Sequence, residues 1–100
     1  MAVQEFQLLT IVTERILRDE IIEMMRAQGA RGFTLTDAEG EGSRGIRASD
    51  WEGRNVKIES IVSAEKASKI MKAVAETYFE NYAVIAYSYP VNVFRGDKYT

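Results

Sequence analysis

The chain contains no cysteine and no histidine. Without thiols there is no disulfide framework, no thiolate metal site and no cysteine nucleophile, and nothing points to an oxidising compartment. Without imidazoles the usual zinc sites, the serine–histidine dyad and the commonest general base near neutral pH are gone as well. Long apolar runs are also missing. The longest, around Ala83 to Ala86, falls far short of the roughly 20 residues that span a bilayer. The N-terminus shows no basic-then-apolar signal pattern, so the expectation is a cytoplasmic protein that is not integral to a membrane. A basic surplus is absent too. With 13 basic and 15 acidic side chains the net charge is −2, which argues against a general nucleic-acid binder and leaves room only for a local basic site.

What is present fits one compact domain over residues 1–100: 46% apolar and 28% charged residues in a chain that can bury roughly two thirds of its surface. Phe6 to Val12 is short, apolar and β-branched, and reads as a first strand. Thr13 is the expected N-cap of a helix, with Glu14 in its first turn and Leu17, Ile21, Met24 and Gln28 along one face. Gly29 stops that helix. Gly32 to Thr36 reads as a second strand and Asn55 to Val62 as a third, with Val56 and Ile58 on one side and Lys57 and Glu59 on the other. Ser63 caps a second helix whose face repeats through Ala67, Ile70, Met71, Val74, Ala75 and Tyr78. Tyr82 to Tyr87 is apolar on both sides, as expected of an inner strand, and Pro90 is expected to end it. Val91 to Phe94 could add a short edge strand.

The order β-α-β-loop-β-α-β is that of the ferredoxin-like α+β fold, with both helices on one face of an antiparallel sheet. The other face would expose a large apolar patch in a monomer, which predicts a homo-oligomer packed through its sheets.

Regularity stops over residues 37 to 54, longer than a structureless loop in a compact domain normally runs. Within it lies Gly40-Glu41-Gly42-Ser43-Arg44-Gly45-Ile46-Arg47. Glycine lets backbone N–H groups close around an anion. Ser43 adds a hydroxyl, and Arg44 and Arg47 each add a planar fork of donors for phosphate or carboxylate oxygens. Neither the phosphate loop of nucleotide hydrolases nor the dinucleotide fingerprint is present. On spacing alone the stretch is equally a flexible connector and an anion cradle. Trp51, the only tryptophan, stands among charged residues and is a candidate partner contact.

Leu9-Thr10-Ile11-Val12-Thr13-Glu14, Gly29-Ala30-Arg31-Gly32-Phe33-Thr34, the G-x-G-S-R-x-x-R loop and Tyr78-Phe79-Glu80-Asn81-Tyr82-Ala83 together resemble the PII-like signalling proteins. Within them the similarity is to the group associated with bicarbonate transporters and carboxysomes. The resemblance implies a homotrimer, not an enzyme and without a cofactor, that binds adenine nucleotides in clefts between subunits and signals through its long T-loop. By the same resemblance Ser43, Arg44 and Arg47 would hold phosphate, Gly42 would admit its close approach, and main chain near Thr34 and Leu35 would read the adenine edge. Ala83 and Val84 would line the same cleft. Bicarbonate is the implied second ligand, and a bicarbonate transporter or carboxysome-related protein the implied partner. Three departures bear on this. Glu41 stands where relatives are often basic, which favours AMP, ADP or cyclic AMP over ATP; Val84 replaces a glycine; and the tail lacks the paired cysteines of some relatives.

Two other function classes share the strand order. An RNA-binding module would use Arg31-Gly32-Phe33 as the start of its motif, but Thr34 and Leu35 do not continue it. A small phosphate-ester or acylphosphate hydrolase would need an arginine in the first strand-to-helix loop, where only Arg15 is near.

Overall fold

The computed structural model describes residues 3–39 and 55–95. Strand β1 (Gln4–Glu14) runs through a 3-10 turn (Arg15–Leu17) into helix α1 (Arg18–Ala27), followed by β2 (Thr34–Ala38), β3 (Asn55–Val62), helix α2 (Ala64–Tyr78) and β4 (Ile85–Val93). The strands form one sheet in the order β2-β3-β1-β4, antiparallel at every pairing. This is the expected ferredoxin-like arrangement. β1 lies inside, bonded to β3 on one side and β4 on the other, and everything else hangs from it.

Strand periodicity sorts the side chains. Leu9, Ile11 and Thr13 of β1 pair in register with Ser60, Ile58 and Val56 of β3, and all six are buried. Onto that face α1 brings Ile21, Ile22 and Met25, and α2 brings Ala67, Ile70, Val74 and Tyr78. Each fully buried aliphatic side chain contributes roughly 1.5–3 kcal/mol, so this layer is the main source of stability.

The ends of the elements have local causes. Ser63 caps α2, its Oγ accepting the Lys66 N–H at 3.2 Å, as expected. The Thr13 cap is not formed: β1 extends to Glu14 and the helix is entered through the 3-10 turn with no side-chain cap bond. Thr13 is buried under the helices and its hydroxyl donates to the Glu14 carbonyl at 3.2 Å. α1 ends as expected at Gly29, where φ is +99°. There the Gly29 and Ala30 N–H groups return to the carbonyls of Arg26 and Met25 at 2.9 and 3.0 Å, the closing pattern that a left-handed residue permits. The Lys66 ammonium reaches across to donate to the Gly29 carbonyl at 3.4 Å, tying the turn to the start of α2.

β4 departs most from the sequence expectation. It is an edge strand rather than an inner one, and it runs unbroken to Val93 with Pro90 opposite Gln7. An edge strand can absorb a proline because one side of its backbone has no ladder to donate to. The apolar residues on its outer face are exposed instead of covered: Ile85 at 56%, Tyr87 at 40% and Tyr89 at 48%. They stand beside Val12, Thr10 and Leu8 on the helix-free face. The β2 and β3 half of that face is polar, with Thr34, Thr36, Lys57 and Glu59, so the apolar patch covers half of the sheet.

At the far end of the helices Tyr78 donates its hydroxyl to Glu20 Oε1 at 2.6 Å and meets Tyr82 edge-on at 5.9 Å. Burial, then the bond and charge of Glu20, raise the Tyr78 phenol above its ordinary range.

Both the turn and the buried phenol can be tested. Gly29→Ala forces a side chain into the left-handed region and lowers unfolding stability by about 1–2 kcal/mol in a urea titration. A phenol raised in the folded state stabilises fully below its unfolded value, about pH 10, and that stability is lost as pH rises toward the folded value. The urea midpoint of the wild type is therefore expected to fall more steeply above pH 10 than that of Tyr78→Phe; equal slopes would remove this role for the hydroxyl.

Candidate functional site

The residues that the sequence singled out divide into two groups. Gly42, Ser43, Arg44, Arg47 and Trp51 lie outside the described residues. Thr34, Leu35, Ala83 and Val84 lie within them, and one chain does not bring them together. Thr34 is on edge strand β2, in a row across the sheet with Glu59, Thr10 and Tyr87. Ala83 and Val84 immediately precede β4 at the opposite edge, three strand spacings or about 14 Å across.

Among the described residues β2 has a neighbour on one side only, so its outer edge keeps alternate main-chain N–H and C=O groups unladdered by them and available to a ligand. Its side chains part to the two faces. Thr34 lines a depression of about 220 Å³ on the helix-free side with Leu8, Glu59 and Ile61. Leu35 lines a groove of about 580 Å³ on the helix side with Ile22, Arg26 and Phe33. Gly32 and Phe33 border both. The Gly32 carbonyl is fixed by the buried Ser60 hydroxyl at 2.8 Å, and Phe33 lies 5.4 Å beneath the Arg26 guanidinium.

At the other edge, the Ala83 N–H donates to Glu14 Oε2 at 2.7 Å. Glu14 ends β1 and stands in register with Asn55, which stands in register with Ala38. Those last two residues bracket the segment that carries Ser43, Arg44 and Arg47. Both stems of that segment therefore rise from the same end of the sheet as the Glu14–Ala83 contact. Arg15 adds an ion pair there, donating to Asp37 Oδ1 at 2.6 Å.

Sequence reasoning missed Glu14. It was expected in the first turn of a helix, and its real partner is 69 positions away in the chain, a pairing that no local pattern announces. The alternatives lose their motifs. Arg31-Gly32-Phe33 precedes β2 instead of lying in a strand, and the open face of β3 offers Lys57, Glu59 and Ile61, with no aromatic for stacking bases. Arg15, the arginine nearest to an acylphosphatase position, is held by Asp37. Among the described residues no group of three or more acidic side chains could hold a metal ion, and no helix is long and apolar enough to cross a membrane.

The family model for Nitrogen regulatory protein P-II matches residues 6–98. The chain belongs to the P-II family. Its structure is similar to that of a PII-like signaling protein from Thermus thermophilus, with 49% sequence identity, a TM-score of 0.87 and both chains covered in full. It is also similar to CPII from Thiomonas intermedia. The form bound to ADP, AMP and acetate gives a TM-score of 0.85 at 17% identity, and the form bound to ADP and bicarbonate gives 0.86 at 18%. Each comparison covers 99% of this chain and 98% of the CPII chain, and at that identity the likeness is one of fold. A P-II protein is a signalling protein, and this is the family that Leu9–Glu14, Gly29–Thr34, the G-x-G-S-R-x-x-R loop and Tyr78–Ala83 resemble.

Proposed function

We propose that the protein is a non-enzymatic cytoplasmic sensor, a single domain over residues 1–100, that binds AMP or ADP in the clefts of a homotrimer. The carrying observation is the placement of Thr34–Leu35 and Ala83–Val84 at opposite edges of one sheet. A site that uses both cannot close within a chain, and a second copy completes it. The exposed Ile85, Tyr87 and Tyr89 supply an apolar surface for such packing.

In this reading the base meets the outer edge of β2. The depression beside Thr34 offers apolar walls in Leu8 and Ile61 and a carboxylate in Glu59, which is able to accept an N–H from an exocyclic amine. Ser43, Arg44 and Arg47 hold the phosphate, Gly42 allows its close approach, and Ala83 and Val84 of the neighbouring copy form the opposite wall. Glu41 favours AMP, ADP or cyclic AMP over ATP. Bicarbonate, which CPII binds together with ADP, is the second ligand. The ligand-ordered T-loop, with Trp51 as a contact, then regulates inorganic-carbon uptake or fixation by engaging a bicarbonate transporter or a carboxysome-related protein. Coupling is reciprocal, so a partner that prefers the ordered loop also tightens nucleotide binding.

Light scattering at micromolar concentration is expected to give three times the 11.3 kDa chain mass; a sharp monomer mass would overturn the shared cleft. In calorimetry AMP and ADP, with and without bicarbonate, are expected to saturate the wild type. Losing two charge-assisted phosphate contacts in the Arg44→Ala, Arg47→Ala double variant weakens them by about tenfold or more. Equal affinity in both proteins refutes the arginine roles, and no saturation by AMP, ADP, ATP or cyclic AMP at millimolar concentration refutes the sensor.

A further inference from the structure

The main-chain N–H of Ala83 is a donor of the kind that a phosphate or carboxylate oxygen takes, and this fold has already committed it. Glu14 Oε2 accepts it at 2.7 Å. Glu14 is half-buried, and through this bond its charge stands on the wall of the cleft that Ala83 and Val84 form. The neighbouring cation does not neutralise it: Arg15 gives its guanidinium to Asp37 at 2.6 Å, and among the described residues no cation pairs with Glu14. An anion that enters between these elements meets a negative charge which has occupied one of its donors.

We propose that Glu14 is a specificity-determining residue of the cleft, a built-in anion that holds the Ala83 N–H and disfavours ligands in proportion to their phosphate charge. The inference rests on the nucleotide-sensor reading above and deepens it by naming a negative group among the described residues that selects the ligand. The physics is competition and repulsion. A ligand oxygen must displace the Glu14 oxygen or forgo that donor, and each added negative charge also interacts unfavourably with a half-buried carboxylate, which water screens less than an exposed one. Glu14 does this without touching the base, so it sets how many phosphates are accepted and leaves the choice of base to other residues.

The test is calorimetric titration of the full chain with AMP, ADP and ATP, comparing the wild type with Glu14→Gln, Glu14→Met and Glu65→Gln. The glutamine keeps an oxygen that can accept the Ala83 N–H and removes the charge. The methionine keeps much of the shape and frees the N–H. Glu65, in the first turn of α2, is the charge-matched control near the opposite end of the sheet, and far-ultraviolet circular dichroism checks that each variant folds. The expected result is tighter binding in both Glu14 variants with a gain that grows along the series, about three- to tenfold for ADP and more for ATP, and no change in Glu65→Gln. A uniform gain across the three nucleotides, the same gain in Glu65→Gln, or weaker binding in Glu14→Gln would overturn the inference while the sensor reading stands. No binding by any of the proteins overturns the reading and the inference with it.

Discussion

An antiparallel sheet whose two helices lie on one face has to leave its other face to something else, and most of this molecule follows from that imbalance. The covered face is saturated: alternate residues of β1 and β3 meet both helices in a closed apolar layer. The open face is built from the intervening residues of the same strands, so its composition is a separate decision written into the same stretches of sequence. Here that decision splits the sheet. The half formed by β1 and β4 is apolar and aromatic, suited to being covered by another copy. The half formed by β2 and β3 is polar, suited to water or a ligand.

The same alternation distributes the chemistry. Thr34 and Leu35 are adjacent in the chain and yet face opposite sides of the sheet, lining separate depressions. The Ala83–Val84 segment is far from both, because β2 and β4 are the two edges. The end of β1 unites what the order of strands separates. Glu14 and Arg15, consecutive residues, reach the start of β4 and the end of β2 respectively. A junction of two residues thereby ties both edges of the sheet to its central strand.

Much of the fold was legible in the sequence because its signals are local and periodic. The third strand and the second helix, with its Ser63 cap, appear where the alternation and the three-and-four spacing put them, and Gly29 ends the first helix. What was not legible depends on neighbours. Tyr82 to Tyr87 was expected inside the sheet because its residues are apolar on both sides. That pattern cannot distinguish cover by a helix from cover by a second copy. Thr13 has a capping residue's chemistry, but pairing with Val56 kept it in the strand. For the candidate site, the loop motif and the family were legible. The Glu14–Ala83 contact was not, since it joins segments that only the tertiary fold makes adjacent.

Pro90 has a consequence beyond marking an edge. For the ladder with β1 to continue past it, its nitrogen must face outward, so the free side of β4 lacks a donor in the middle of its length. A strand added there would find a gap in its hydrogen bonding. The outermost strand is thus a poor template for sheet extension from chain to chain. The proline therefore works against open-ended, edge-to-edge growth of the sheet, whatever else the molecule packs against.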